Sequence, residues 1–138
     1  FQGPKQNGMP ELHQLTPTLT ILQRRGFKVG LITDGRMSGA SGKVPAAIHL
    51  CPEGLDGGLI AKVQTGDMIL LDGETGELTL LVDETELAQR SQATFQVNGH
   101  HQGMGRELFG FMRNNLSTAE TGACSLFEPL SPQGRLND

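Results

Sequence analysis

Serine, arginine and lysine gather in one glycine-rich stretch of this chain. Residues 31 to 43 read Leu-Ile-Thr-Asp-Gly-Arg-Met-Ser-Gly-Ala-Ser-Gly-Lys, so an apolar run ends in Thr33-Asp34-Gly35 and is followed by Arg36, Ser38, Ser41 and Lys43 among glycines. Apolar residues giving way to Gly and polar residues describe a strand emptying into a loop. Such loops can present polar groups to a ligand from a rigid support. The Ser38 hydroxyl becomes a base or nucleophile only if a neighbouring base, a metal or a positive field draws off its proton. His49, His100 and His101 are candidates by number alone, since no spacing ties them to Ser38. Arg36, two residues before Ser38, breaks the Gly-x-Ser-x-Gly elbow. On spacing alone, a turn serine is favoured over a catalyst. Gly42-Lys43 approaches the Gly-x-x-x-x-Gly-Lys-Ser/Thr loop, but Met37 stands where its first glycine belongs and Val44 follows the lysine, which excludes a nucleotide loop. Two readings stay open: a looser anion site made of main-chain N–H groups with Arg36 or Lys43, and a turn that binds nothing.

Glu11 sits between Pro10 and Leu12, just ahead of a helix, in an approach constrained enough for a hard-metal ligand; a capping or solvated acid is the commoner role. Adjacent histidines in an extended segment point to opposite faces, so His100-His101 reads as a solvated pair. Cys51 and Cys124 are far apart and form no CxxC pair, which argues against a disulfide framework or a zinc site and for a reducing compartment. Cys124 reads as a small packed side chain.

The elements that must hold these groups follow in order. Residues 1 to 8 read as an extended arm or the stub of a linker. Thr16-Pro17 marks a helix start, with Thr16 as cap, and Arg24-Arg25-Gly26 marks its end. Phe27 to Thr33 is expected as a buried strand. Val44 to Leu50 is ambiguous, with Pro45 suggesting a helical turn. Leu59–Val63, Met68–Asp72 and Glu77–Val82 are expected as three strands of a meander, the seed of a small barrel or sandwich. Asp83 to Gln89 predicts a short helix capped by Asp83 or Thr85. Leu108, Met112 and Leu116, spaced by four, predict a helix over 104–116. The expected organisation is one mixed α/β domain over residues 1–127 and a polar tail over 128–138.

A chain of 138 residues suits a single domain with its own core. Glycine is abundant at 19 residues and the aromatics are 6 Phe alone, which favours a loop-rich fold. A net charge of −4 argues against nucleic acid or an anionic membrane as partner. No apolar run nears the ~20 residues of a membrane span, so a soluble protein is expected, and the cysteine usage makes a reducing cytoplasm the default. Phe1 stands in place of Met with no basic and apolar leader behind it, so the chain is expected to be a piece of a longer protein.

Taken together, the motifs resemble a known family. Gly8-Met9-Pro10-Glu11, then Lys28 through Gly39, then Pro52-Glu53 and Gly57-Gly58-Leu59-Ile60-Ala61, then Val63-Gln64-Thr65-Gly66-Asp67 are similar, in order and spacing, to the C-terminal domain of the dihydroxy-acid and sugar-acid dehydratases. The run Ser41 to His49, and the ending Gly105 to Phe109, Asn115 to Ser117 and Gly122 to Phe127, resemble the branch acting on 6-phosphogluconate. Met37 stands where the branched-chain dihydroxy-acid branch has Phe. The resemblance implies a swivelling β/β/α fold, a small barrel-like sheet with flanking helices. It also implies closure over a larger N-terminal domain that carries an iron–sulfur cluster, expected as 4Fe-4S, and most Mg²⁺ ligands. A cytoplasmic homodimer serving gluconate breakdown in the Entner–Doudoroff pathway is implied as well. Neither cysteine matches a cluster-ligand motif. The roles carried over are Glu11 as Mg²⁺ ligand and Ser38, as an alkoxide, as general base for the C2 proton of a sugar-acid phosphate. Arg36, Ser41 and Lys43 are expected, on charge and position, at the substrate's anionic groups. The alternatives are another dehydratase of the family, or a non-catalytic lid or dimer-contact domain.

Overall fold

The structure, a computed structural model, describes residues 1–37, 44–95 and 102–126. The chain opens with a single helical turn, α1 (Pro4–Asn7), in place of the extended arm expected from its polarity. Pro4 suits the first helical position because its missing N–H has no partner there anyway, and Gly8 ends the turn with a left-handed φ of 68°. Helix α2 spans Leu15–Arg24, with Arg24 in its last turn. Its N-terminus lies slightly earlier than the Thr16 cap predicts. Gln14 takes the cap position without a side-chain bond, and Pro17 falls within the first turn, where it breaks no helical hydrogen bond.

The strand expected over Phe27–Thr33 shrinks to β1 (Leu31–Ile32). Its partner is β2 (Ala46–Ala47), in parallel, with Leu31 opposite Ala46 and Ile32 opposite Ala47. Pro45 therefore leads into a strand and not a helical turn. Its carbonyl accepts the Leu31 N–H at 2.9 Å, and a proline just ahead of a strand withholds no needed donor. The pairing runs past the strand ends: Thr33 N–H donates to Ala47, Leu50 N–H to Thr33 and His49 N–H to Gly35.

The expected three-strand meander is reduced to a hairpin. Strand β3 (Ile69–Asp72) pairs antiparallel with β4 (Glu77–Leu80), Ile69 opposite Leu80 and Asp72 opposite Glu77. Leu59–Lys62, read as the first strand, is a 3₁₀ turn. A short apolar run carries no periodicity to separate the two. The deciding contact is at Gly58, where a Cβ would overlap the Pro52 carbonyl, so the backbone turns sharply there. Helix α3 (Glu84–Gln89) forms as expected, with the Asp83 carboxylate accepting the N–H groups of Thr85 and Glu86. Of the helix expected over 104–116, only α4 (Gly110–Asn114) is regular. Gly103 and Gly105, with φ of 110° and 89°, break the segment before it into separate turns.

Helix and sheet are thus mixed, as the sequence suggests, and the described strands form two two-stranded sheets and no closed barrel. The sheets border apolar clefts of about 810 Å³ and 290 Å³, both lined by Ile32 and Ile69. The most buried apolar side chains are Met37, Val44 and Ala61, and the buried polar ones are Thr33, Asp34 and Glu53. Five of these six border the glycine-rich segment or the turn beneath it. Among the described residues no helix is long and apolar enough to cross a membrane.

Candidate active site

The strand β1 exits through Thr33-Asp34-Gly35, three consecutive buried residues. Thr33 Oγ1 accepts the Gly35 N–H at 2.9 Å, which closes a tight side-chain turn. Gly35 lies close against Gln2, where a Cβ would come within 2.7 Å of the Gln2 Cβ. Met37 is buried at 6% exposure, and the Thr16 hydroxyl donates to its sulfur at 3.4 Å. Thr16 thereby docks α2 onto the root of the segment instead of capping its own helix. Val44, on the far side, is equally buried. Both described flanks of the serine-bearing segment are therefore pinned in the core.

Glu11 comes to this exit through the backbone. It pairs with Arg36 in a parallel β-bridge, and the Leu12 N–H donates to the Arg36 carbonyl at 3.1 Å. Arg36 Nη1 donates to Glu11 Oε2 at 3.3 Å, and its Nε donates to the Met9 carbonyl at 2.7 Å. Met9 holds a left-handed φ of 55°, unusual for a residue with a Cβ. The half-buried Glu11 carboxylate thus has its direction set by Arg36, whose own side chain is about half exposed at 51%. A cation with one face on a carboxylate and one toward solvent can orient that carboxylate and also meet a small anion.

Of the residues singled out from sequence, Glu11 and Arg36 are brought together. Ser38, Ser41 and Lys43 lie outside the described residues, as do His100 and His101. His49 is exposed, and its main-chain N–H donates to Gly35 at 2.8 Å. Cys51 and Cys124 are free and half-buried. Among the described residues no group of three or more His, Cys, Asp or Glu is placed to hold a metal ion. The described cysteines therefore do not fit an iron–sulfur cluster. Glu11 fits one oxygen ligand of a hard cation such as Mg²⁺, which draws on one or two carboxylates.

Two buried acids went unrecognised in the sequence. Asp34, 1% exposed, accepts the Gln2 N–H at 2.8 Å and the Gly54 N–H at 2.9 Å. Burial alone would raise its pKa; the N–H groups of Gly54 and Gln2, together with the Phe1 ammonium 3.6 Å from Oδ1, more than offset it, so the carboxyl is held below the ordinary range. Glu53, 3% exposed, accepts the Lys5 N–H at 2.9 Å and the Gln6 N–H at 3.2 Å. The Thr-Asp-Gly and Pro-Glu-Gly punctuation was the available signal, but such triplets are commoner as solvated turns.

Comparison with known proteins identifies the family. Residues 1–123 match the family model described as dihydroxy-acid/6-phosphogluconate dehydratase C-terminal. The chain belongs to that family. It is 60% identical over 131 residues to a phosphogluconate dehydratase of Pseudomonas aeruginosa, covering 95% of this chain and 21% of the relative. It is 61% identical over 122 residues to that of Escherichia coli K12, covering 88% and 20%. A dihydroxy-acid dehydratase of Streptococcus pneumoniae is more distant, 35% identical over 136 residues, covering 98% and 23%. The chain spans about a fifth of the length of these relatives.

Proposed function

We propose that this chain is the C-terminal, swivelling part of a hydro-lyase that converts 6-phospho-D-gluconate into 2-dehydro-3-deoxy-6-phosphogluconate and water. The observation that carries the reading is the Glu11–Arg36 bridge. It joins an oriented carboxylate to the root of the serine segment, in a chain 60% identical to a phosphogluconate dehydratase. On this reading a larger N-terminal domain holds the iron–sulfur cluster and the remaining Mg²⁺ ligands. The enzyme is a cytoplasmic homodimer, and its product is a sugar-acid phosphate of gluconate breakdown.

Each residue then has a task. Glu11 presents one carboxylate oxygen to Mg²⁺, and Arg36 keeps that oxygen pointed by bonding both Glu11 and the Met9 carbonyl. When bound, Mg²⁺ supplies positive charge that stabilises the negative charge growing on the substrate carboxylate as the C2 proton leaves. Ser38, two residues beyond Arg36, takes that proton as an alkoxide while the C3–O bond breaks and the 3-hydroxyl leaves as hydroxide. The Ser38 hydroxyl then gives its proton to C3 as the enol O–H proton passes to the released hydroxide, which forms water and the keto acid. Ser41, Lys43 and the exposed edge of Arg36 receive the anionic groups of the substrate, its phosphate among them.

Exposed apolar side chains favour a contact role alongside the catalytic one. Phe27, Leu59, Met68, Leu81 and Phe111 are each more than half exposed, a pattern suited to burial against another domain or subunit. The experiment is Glu11→Gln in the complete enzyme, assayed for 6-phosphogluconate against gluconate and a branched-chain dihydroxy acid. The expected results are preference for 6-phosphogluconate and a large rise in the Mg²⁺ concentration needed for half-maximal turnover. An unchanged Mg²⁺ dependence would leave the chain as a non-catalytic lid, and preference for another substrate would move it to a sister dehydratase.

A further inference from the structure

We propose that Asp34 and Glu53 are positioning residues, a pair of buried carboxylates that clamp the turn carrying Glu11 and so set where Glu11 stands. The inference rests on the reading of Glu11 as a metal ligand, and it assigns the part of the molecule that holds that ligand in place.

The clamp is built from four main-chain N–H groups and no side-chain cation. Asp34 takes those of Gln2 and Gly54, and Glu53 takes those of Lys5 and Gln6. Gly54 directly follows Glu53, so the bond from Gly54 N–H to Asp34 also fixes the residue that holds α1. The Lys5 side chain points elsewhere, to Asp56 at 2.5 Å. Close approach is built in as well: a Cβ on Gly3 would overlap the Glu53 carboxylate. A helix of one turn cannot sustain itself, so the direction in which α1 delivers Gly8, Met9 and Glu11 depends on what grips it. Beyond α1 the path is short. Gly8 and Met9 both take left-handed φ, the Met9 carbonyl meets Arg36 Nε, and Glu11 falls into its bridge with Arg36.

Burying two carboxylates is a costly way to gain stability, since each must recover its lost hydration through hydrogen bonds. Main-chain N–H groups do that with a defined direction, because each carboxylate oxygen meets its own donor. The result is a rigid link from the β1 exit, through the 53–54 turn, to the segment that ends in Glu11. The same residue, Asp34, sits two positions before Arg36, so both sides of the Glu11–Arg36 bridge hang from one buried group.

The test uses the complete enzyme with Glu53→Gln, Asp34→Asn and Gly3→Ala, beside Glu11→Gln and Asp56→Asn. Two readouts are taken: Mn²⁺ binding followed by electron paramagnetic resonance, and hydrogen exchange of the Met9–Leu12 segment. Glu53→Gln is expected to weaken Mn²⁺ binding by about tenfold, as loss of an outer partner of a metal ligand does, and to speed exchange of the Leu12 amide. Gly3→Ala should do the same by displacing the Glu53 carboxylate, and it serves if Asp34→Asn does not fold. Asp56→Asn, which grips only the Lys5 side chain, should change neither. Unchanged exchange over Met9–Leu12 in Glu53→Gln and Gly3→Ala overturns the clamp whatever the metal does. Weakened Mn²⁺ binding in Glu11→Gln with none in Glu53→Gln overturns the inference while sparing the metal role of Glu11. No effect of Glu11→Gln on Mn²⁺ overturns that role, and exchange alone then decides the clamp.

Discussion

Glu11 and Arg36 face each other as parallel bridge partners, with Arg36 Nη1 3.3 Å from Glu11 Oε2 and Arg36 Nε 2.7 Å from the Met9 carbonyl. One guanidinium therefore holds both the carboxylate of the proposed metal ligand and the main chain two residues before it. An ion pair this exposed contributes only about 0–1 kcal/mol to stability, so its value lies in direction.

Arg36→Met should accordingly leave the fold almost unchanged and disturb the site. The apolar stem is kept while every donor is lost. In the complete enzyme, the melting temperature is expected to hold, while the Mg²⁺ concentration for half-maximal turnover rises several-fold or more. A large fall in melting temperature with unaltered Mg²⁺ dependence would make Arg36 a packing residue.

Gly58→Ala tests the turn beneath the site. A Cβ there overlaps the Pro52 carbonyl, a backbone atom that cannot swing away. Overpacking of this kind costs on the order of 1–3 kcal/mol, and here it would push the 52–54 turn, and Glu53 with it. Thermal unfolding should show the loss, whereas Gly66→Ala, where nothing lies within 4 Å of the added Cβ, should show only the smaller strain of its positive φ.

Arg90 ties α3 to the rest of the chain and predicts a pH-dependent stability. Its guanidinium donates to both Asp67 oxygens, at 2.6 and 2.9 Å, to Glu86 at 2.5 Å and to the Lys62 carbonyl at 3.2 Å. The side-chain bonds from Arg90, with the Gln64 N–H, hold the Asp67 carboxyl below its ordinary range. A depressed carboxyl stabilises the fold fully above its unfolded value, about 3.9, and loses that contribution as pH falls through the lower folded value. Asp67→Asn should therefore lower stability at neutral pH, with the gap from the unsubstituted enzyme narrowing in acid below about pH 4. A gap independent of pH would show that the carboxylate charge is not what counts.

Much of this frame was legible from residues alone. Helix α2, the β3–β4 hairpin and α3 follow from a Pro-led apolar face, a Gly-Glu-Thr-Gly turn and an Asp cap, signals that act within a few residues of one another. Most of the misreadings arise from contacts and backbone constraints that the hydrophobic pattern does not carry. The arm at residues 4–7 curls because Glu53 grips it from 47 and 48 residues away. Ala46–Ala47 becomes a strand because the Leu31 and Thr33 N–H groups donate to the flanking Pro45 carbonyl and to Ala47. Residues 59–62 turn because Gly58 must pass the Pro52 carbonyl. In the site, Glu11 and Arg36 were legible as separate candidates, but their pairing was not, and the Asp34 and Glu53 carboxylates were not singled out at all. A carboxylate's partners cannot be read from its neighbours in sequence when those partners are main-chain N–H groups of another segment.

The central claim, that this chain supplies the base of the dehydration, is tested most directly by Ser38→Ala in the complete enzyme. Turnover of 6-phosphogluconate and exchange of its C2 hydrogen with solvent deuterium are measured together, with cluster absorbance as a control for integrity. The account predicts that both rates fall by roughly 10²–10⁴-fold, the usual contribution of a positioned base, while the absorbance is unchanged. Turnover and exchange within about tenfold of the unsubstituted enzyme would contradict it.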